Sequence, residues 1–182
     1  MESKTHIVIL GLLSEQPLSG YDIKKLIEIR FRFFWNESYG QIYPVLKKLT
    51  QQGLIVESPD LESKRNTRRY TITESGLETL RQWLLTNPEK ESVRIELLLK
   101  LYFSSLEDPE LMIKYITAFM TNHQKDLMIL NLFKAELEKI SDPYQNHQNI
   151  LSVIDFGIKT NQAYLGWCKE TIDRLEANHE TH

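Results

Sequence analysis

One stretch, residues 39–55 (YGQIYPVLKKLTQQGLI), leaves this chain few choices. Turned at 100° per residue, Ile42, Val45, Leu46 and Leu49 fall in one arc about 100° wide, a stripe that must face a core. Gly40, Pro44, Lys47, Lys48 and Gln51 take the opposite arc, with Gln41 and Tyr43 on its shoulders. Gly53 stops the helix, and Leu54-Ile55-Val56-Glu57 begins a strand. Proline is tolerated mainly in a first turn, so the regular helix starts late or opens with an irregular turn near Pro44. The result is a short helix with a greasy underside and a basic, amide-bearing, aromatic outer face. Such a face fits a major groove, where Lys reaches phosphate or guanine and Gln pairs with adenine. An ordinary amphipathic surface helix has the same pattern, so the neighbouring elements must decide.

Upstream, residues 5–14 are apolar on nearly every side and read as a buried helix. Pro17-Leu18-Ser19-Gly20 breaks it, and Ser19 can cap a second helix with Tyr21, Ile23, Leu26, Ile27 and the stem of Arg30 turned inward. Phe31-Arg32-Phe33-Phe34-Trp35 forms an aromatic link expected to pack under the third helix, which Asn36 or Ser38 can start. Downstream, residues 55–59 and 67–73 are two β-prone segments joined by a charged connector, a hairpin in which Tyr70 and Ile72 share one face. Thr73 can cap a fourth helix, 74–85, with Leu77, Leu80, Trp83 and Leu84 inward; Asn87-Pro88 ends it. Helix, helix, helix, hairpin, helix, with the basic helix third, is the layout of a winged helix-turn-helix.

The second half is helical throughout. Residues 92–104 are so rich in Leu, Val, Ile, Tyr and Phe that they read as almost wholly buried. Asp108-Pro109 starts a helix running to about Ile140, with a seam at Met112, Ile116, Phe119, His123, Leu127, Leu130, Phe133, Leu137 and Ile140. Asp142-Pro143 starts another, to about Ala177, striped by Ile150, Val153, Ile154, Gly157, Asn161, Tyr164, Leu165, Cys168, Ile172 and Leu175. At 1.5 Å per residue the first of these is roughly 48 Å long, too long for a domain this small to cover. Two long antiparallel helices with unfilled stripes call for a second copy of the chain. The fold class is therefore mainly α with a small β-hairpin: a winged helix-turn-helix over residues 1–86 and a long-helix dimerisation domain over 87–182.

Charge sharpens the reading. The formal net charge is −3, which by itself argues against a polyanionic partner. Residues 1–86, however, carry 12 Lys and Arg against 10 Asp and Glu, and residues 87–182 carry 10 against 15. The basic balance sits beside the third helix. A single cysteine, Cys168, permits no intrachain disulfide and suits a reducing cytoplasm. The apolar run Ile7–Leu13 is too short to span a bilayer, and no membrane association is expected.

The stretches HIVILGLL (6–13) with LSGYDI (18–23), QIYPVLKKL (41–49) with GLI (53–55), and RYTITESG (69–76) together closely resemble the PadR family of bacterial transcriptional regulators. ELLLKLYF (96–103) resembles the start of the helical C-terminal domain of its longer members. The likeness spans nearly the whole chain, and it is the combination that is specific, not any one piece. It implies a homodimeric winged-helix repressor; some relatives respond to phenolic acids or drug-like compounds. Tyr39 departs from the family pattern, where a smaller residue is more usual.

The candidate DNA-contacting residues are accordingly Tyr39, Gln41, Tyr43, Pro44, Lys47 and Lys48 on the helix and Lys64, Arg65, Arg68 and Arg69 on the wing, where four cations in six residues suit phosphate or a minor groove. Trp35, Trp83 and Trp167 read first as packing residues; as walls of a pocket for a small apolar or aromatic effector they are the alternative. His123 reads as a satisfied seam histidine and Cys168 as an apolar filler. His179 and His182 lie in a polar tail, and no metal or cofactor is implied. The chain carries no nucleophile–base pairing, metal-ligand spacing or Gly-rich phosphate loop, which sets enzymes aside. A winged-helix module that binds protein instead of DNA remains the second reading, with the basic wing against it.

Overall fold

Helix α1 (Thr5–Glu15) is apolar all round because other elements surround it: Thr5, Ile7, Ile9, Leu10, Leu12 and Leu13 are all buried. The structure is a computed structural model and describes residues 4–31, 33–35, 42–59, 68–90, 93–104, 109–141 and 146–179. The chain forms two compact units, Met1–Glu89 and Lys90–His182. The first has the winged helix-turn-helix order: α1, β1 (Leu18–Ser19), α2 (Gly20–Arg30), α3 (Ile42–Gln51), β2 (Ile55–Pro59), β3 (Arg68–Ile72) and α4 (Glu74–Leu84).

Ser19 caps α2 as its sequence suggests. Its hydroxyl accepts from the Asp22 N–H, and the Asp22 carboxylate in turn accepts from the Ser19 N–H, a closed capping box. The break before α2 holds more than a turn. Leu18 and Ser19 pair with Tyr70 and Arg69, so the sheet has three antiparallel strands in the order β1-β3-β2. Two residues are too few to show alternation, so only tertiary pairing reveals this strand. Pro59 ends β2 at the sheet edge, where a missing N–H costs nothing.

One knot joins three stretches that lie apart in the sequence. Gly53, at φ 69°, closes α3 with bonds from its N–H to Thr50 O (3.0 Å) and from Leu54 N–H to Leu49 O (3.0 Å), a Schellman exit. The Thr73 hydroxyl donates to Gly53 O at 2.7 Å and accepts from the Gly76 N–H at 3.2 Å, while the Thr73 N–H donates to Leu54 O at 3.0 Å. The exit of α3, the end of the wing and the start of α4 are thus tied at one point. A Cβ on Gly76 would run into the Leu54 carbonyl oxygen and come within 2.7 Å of Ile72 Cγ1. Gly76→Ala is therefore expected to lower stability by about 1–3 kcal/mol. Gly11→Ala, in a helix position with nothing within 4 Å, is the neutral or mildly stabilising control. Urea unfolding midpoints of the two variants check this; equal midpoints rule it out.

The core of this unit joins Ile9, Leu10, Leu12, Leu13, Leu18, Ile23, Ile27, Ile42, Leu46, Leu49 and Ile55. Some expected inward positions are not inward. Tyr21 is exposed, while Ile23 and Ile27 of the same helix are fully buried. Trp83 and Leu84 are exposed at the end of α4. In the aromatic link Phe31 packs on the core and meets Phe34 edge-to-face at 5.9 Å, but Phe34 remains exposed. Asn36 and Ser38, the expected helix starters, lie outside the described residues.

The second unit holds α5 (Glu96–Tyr102), α6 (Pro109–Leu137) and α7 (His147–His179). Contacts between α6 and α7 run in opposite senses: Phe119 meets Tyr164 and Trp167, His123 meets Asn161, and Leu130 packs on Gly157. The pair is antiparallel. The Asn161 amide nitrogen donates to Gly157 O at 2.8 Å, which turns its oxygen to His123 Nδ1 at 2.7 Å. His123 is a satisfied seam residue between Phe119 and Tyr164. Cys168 is fully buried, and burial pushes its thiol pKa up, away from reactivity.

The expectation that residues 92–104 are almost wholly buried is overturned: within one chain Val93, Leu98, Leu99, Tyr102 and Phe103 are exposed, and no residue of α5 is buried. Hydrophobicity states that a face needs cover, not which molecule covers it. Ile140, expected on the α6 seam, lies beyond the end of that helix and is exposed, and Val153 on α7 is exposed too.

Candidate nucleic-acid interface

Helix α3 separates its two faces as its periodicity requires. Ile42, Leu46 and Leu49 are buried and Val45 half-buried, while Tyr43, Pro44, Lys47, Lys48 and Gln51 stand in solvent. Pro44 is the third residue of the helix, inside the first turn, where its missing N–H breaks no helical bond. Helix α2 meets this surface at its first residue. A Cβ on Gly20 would come within 2.7 Å of Tyr43 Cε1 and 3.3 Å of Leu46 Cδ1, so the glycine lets α2 start against the Tyr43 ring. Tyr39 and Gln41 lie outside the described residues.

The strands supply the other wall. Tyr43, Lys47, Thr50, Gln51, Glu57, Arg68 and Tyr70 line one open groove between the outer face of α3 and the β2–β3 ribbon, about 460 Å³ in volume. Glu57 stands directly opposite Tyr70 in the ladder. Its Oε1 accepts from Arg68 Nη1 at 2.8 Å and from the Tyr70 hydroxyl at 3.3 Å. Partial burial, then the Glu57 charge, push the Tyr70 phenol above its ordinary pKa, and the hydrogen bond to Glu57 holds Arg68 more firmly protonated. Both groups keep their protons at neutral pH, so the groove sets the Arg68 guanidinium and the Tyr70 hydroxyl across from Lys47 and Tyr43.

The expected wing cations do not act as one set. Alternation puts Arg68 on the face of Tyr70 and Ile72 and sends Arg69 to the other side. There Arg69 Nη1 donates to Pro17 O at 3.4 Å and lines a separate crevice with Asp22, Lys25 and Ile29. Lys64 and Arg65 lie outside the described residues. Of the tryptophans, Trp35 and Trp83 belong to the first unit and Trp167 to the second, where its ring packs edge-to-face on Phe119 at 6.3 Å. Among the described residues no group of His, Cys, Asp and Glu is arranged to hold a metal ion, and no helix is long and apolar enough to cross a membrane.

Sequence reasoning missed Glu57, Thr50, Tyr70 and Gly20 as parts of this surface. For Glu57 and Tyr70 a signal was present: counting back by twos from Ile72 places Tyr70 and Arg68 on one face, and hairpin pairing puts Glu57 opposite them. Nothing in the sequence marks Gly20 as a seat for Tyr43, since that contact joins two helices.

Comparison with known proteins agrees with this architecture. Residues 9–82 match the transcriptional regulator PadR-like family, and residues 93–176 match the family described as virulence activator alpha C-term. The crystal structure of the PadR-like transcriptional regulator BC1756 from Bacillus cereus superposes with a TM-score of 0.81 at 30% identity, covering 96% of this chain and 99% of that one. Bacillus subtilis PadR in complex with operator DNA superposes with a TM-score of 0.77 at 28% identity, over 93% and 96% of the two chains. The same protein in complex with p-coumaric acid gives 0.71 at 28% identity, over 96% and 99%. In sequence, the negative transcriptional regulator PadR of Bacillus subtilis is 42% identical over 99 residues, a stretch that spans 53% of this chain and 54% of that protein.

Proposed function

Because this chain belongs to the PadR-like family of transcriptional regulators, we propose that it is a homodimeric repressor that binds an inverted-repeat operator through the α3–wing groove. The observation that carries the reading is the outward row Tyr43, Pro44, Lys47 and Lys48 on a helix whose opposite face is fully used by the core, with Arg68 across the groove. A helix so oriented can enter a major groove while its basic flank and wing meet phosphate. The family consists of regulators, not enzymes, and one relative crystallised with operator DNA has the same fold. Repression follows the naming of the Bacillus subtilis relative as a negative regulator. A gel shift against the DNA upstream of the chain's own gene, at two salt concentrations, tests the reading. Salt-sensitive, sequence-selective binding is expected; absence of binding at low salt favours a winged-helix module for protein partners.

The proposal includes release by a small apolar or aromatic effector. Support comes from the Bacillus subtilis relative that has been crystallised with p-coumaric acid. The ligand need only prefer the dimer arrangement in which the two α3 helices are wrongly spaced for DNA. A coupling of about 1–3 kcal/mol weakens operator binding roughly 5- to 150-fold. Titrating aromatic acids and hydrophobic cations, with Trp emission and operator affinity followed together, checks it. Quenching with no change in affinity reveals a pocket without a switch, and silence across a broad panel removes the effector.

A further inference from the structure

A carboxylate in the middle of a surface meant for a polyanion requires an explanation. Glu57 lines the same groove as Tyr43, Lys47 and Arg68, and like charge facing phosphate weakens binding to every DNA sequence. Its setting is constructed, not incidental. The ladder places it opposite Tyr70, and one oxygen takes both the Tyr70 hydroxyl at 3.3 Å and Arg68 Nη1 at 2.8 Å. The two partners are held unequally: the Glu57 side chain is 27% exposed and that of Arg68 69%. The acid is anchored in the sheet, while the guanidinium sits at the solvent edge on a long stem that can swing outward.

We propose that Glu57 is a built-in competitor for phosphate at Arg68, tuning the protein away from non-specific DNA. This rests on the α3–wing groove being the DNA face. Exposed ion pairs are weak, so the Glu57–Arg68 pair is a gate and not a lock. Arg68 reaches a phosphate only by leaving Glu57, whose charge then lies close to that phosphate. The gain from the new contact is largely offset by the lost one and by the added repulsion. Arg68 therefore adds little to sequence-independent affinity, and the base-reading face of α3 carries a larger share of the total.

The test is a double-mutant cycle with Glu57→Gln and Arg68→Ala on the full chain, measured on random-sequence duplex from 50 to 300 mM salt. Glutamine keeps an acceptor for Tyr70, and a thermal melt of each variant establishes that the fold is retained. Glu57→Gln is expected to raise random-DNA affinity about 3- to 10-fold and to steepen the log–log salt slope by about 0.9, one additional phosphate contact. Arg68→Ala is expected to cost less in the wild-type background than in the Glu57→Gln background, where it also removes the added phosphate contact. An Arg68→Ala effect of the same size in both backgrounds overturns the proposal, because Glu57 is then only a background charge. So does a Glu57→Gln variant with unchanged affinity and slope. If the wild-type chain binds no DNA at all, the DNA reading itself falls and takes the proposal with it; binding with an additive cycle removes the proposal alone.

Discussion

Alanine at Lys47, Lys48, Lys64 and Arg65 together is expected to lower DNA affinity about 100-fold or more at 50 mM salt and to flatten the log–log salt slope by roughly 3.6. Each Lys or Arg that neutralises a phosphate releases condensed counterion, worth about 0.9 in that slope. Four such contacts account for about two decades of the affinity lost between 50 and 200 mM salt. Lys47 and Lys48 stand in solvent on α3; Lys64 and Arg65 are assigned to the wing by sequence. Losing these cations weakens all sequences alike, because phosphate carries no base information. Gln41→Ala makes the contrast. A bidentate amide–adenine pair discriminates by about 1–3 kcal/mol, so this variant should relax preference at one base pair and leave the salt slope unchanged. Fluorescence anisotropy titrations on operator and random duplexes separate the two effects. A quadruple variant with the wild-type slope means that the DNA face is elsewhere.

The full chain is expected to sediment as a dimer at micromolar concentration. Within one chain the second unit leaves Leu98, Leu99, Tyr102 and Phe103 exposed around α5, Met128 and Leu132 on α6, and Val153 and Phe156 on α7. Covering apolar surface gains about 25 cal/mol per Å², and an isologous partner offers the same residues in return. Paired glutamates at Leu99 and Tyr102, or at Met128 and Leu132, should yield folded monomers with operator affinity lower by roughly 10²–10⁴-fold, since the second half-site no longer binds intramolecularly. The half-sites should lie about 34 Å, or roughly 10 base pairs, apart in an inverted repeat. A stable wild-type monomer at micromolar concentration excludes the arrangement.

Local chemistry made much of this protein readable in advance. The two faces of α3 follow from the spacing of Ile42, Val45, Leu46 and Leu49, because a helix repeats every 3.6 residues whatever surrounds it. The caps at Ser19 and Thr73 lie where a short hydroxyl side chain precedes a helix, since the first free N–H groups need an acceptor there. The alternation of β3 and the seam of α6 on α7 are likewise periodic signals, and the buried character of α1 follows from its being apolar on nearly every side.

Three-dimensional pairing decided the rest. Strand β1 exists because Leu18 and Ser19 meet Tyr70 and Arg69, and two residues have no period to detect. The exposure of α5 and of the end of α4 is a property of what packs nearby, and composition cannot specify that. The groove itself is a tertiary product. Glu57, Arg68 and Tyr70 come together across a hairpin, and Tyr43 finds its seat on Gly20 across a helix pair. A count of charges along the chain grouped Arg68 with Arg69, but the pleat put them on opposite faces. The sequence determined which surfaces this protein must bury and which side of α3 must face out. The tertiary structure determined which charges share that outward side, because side-chain direction depends on the pleat and the crossing, not on the distance between residues along the chain.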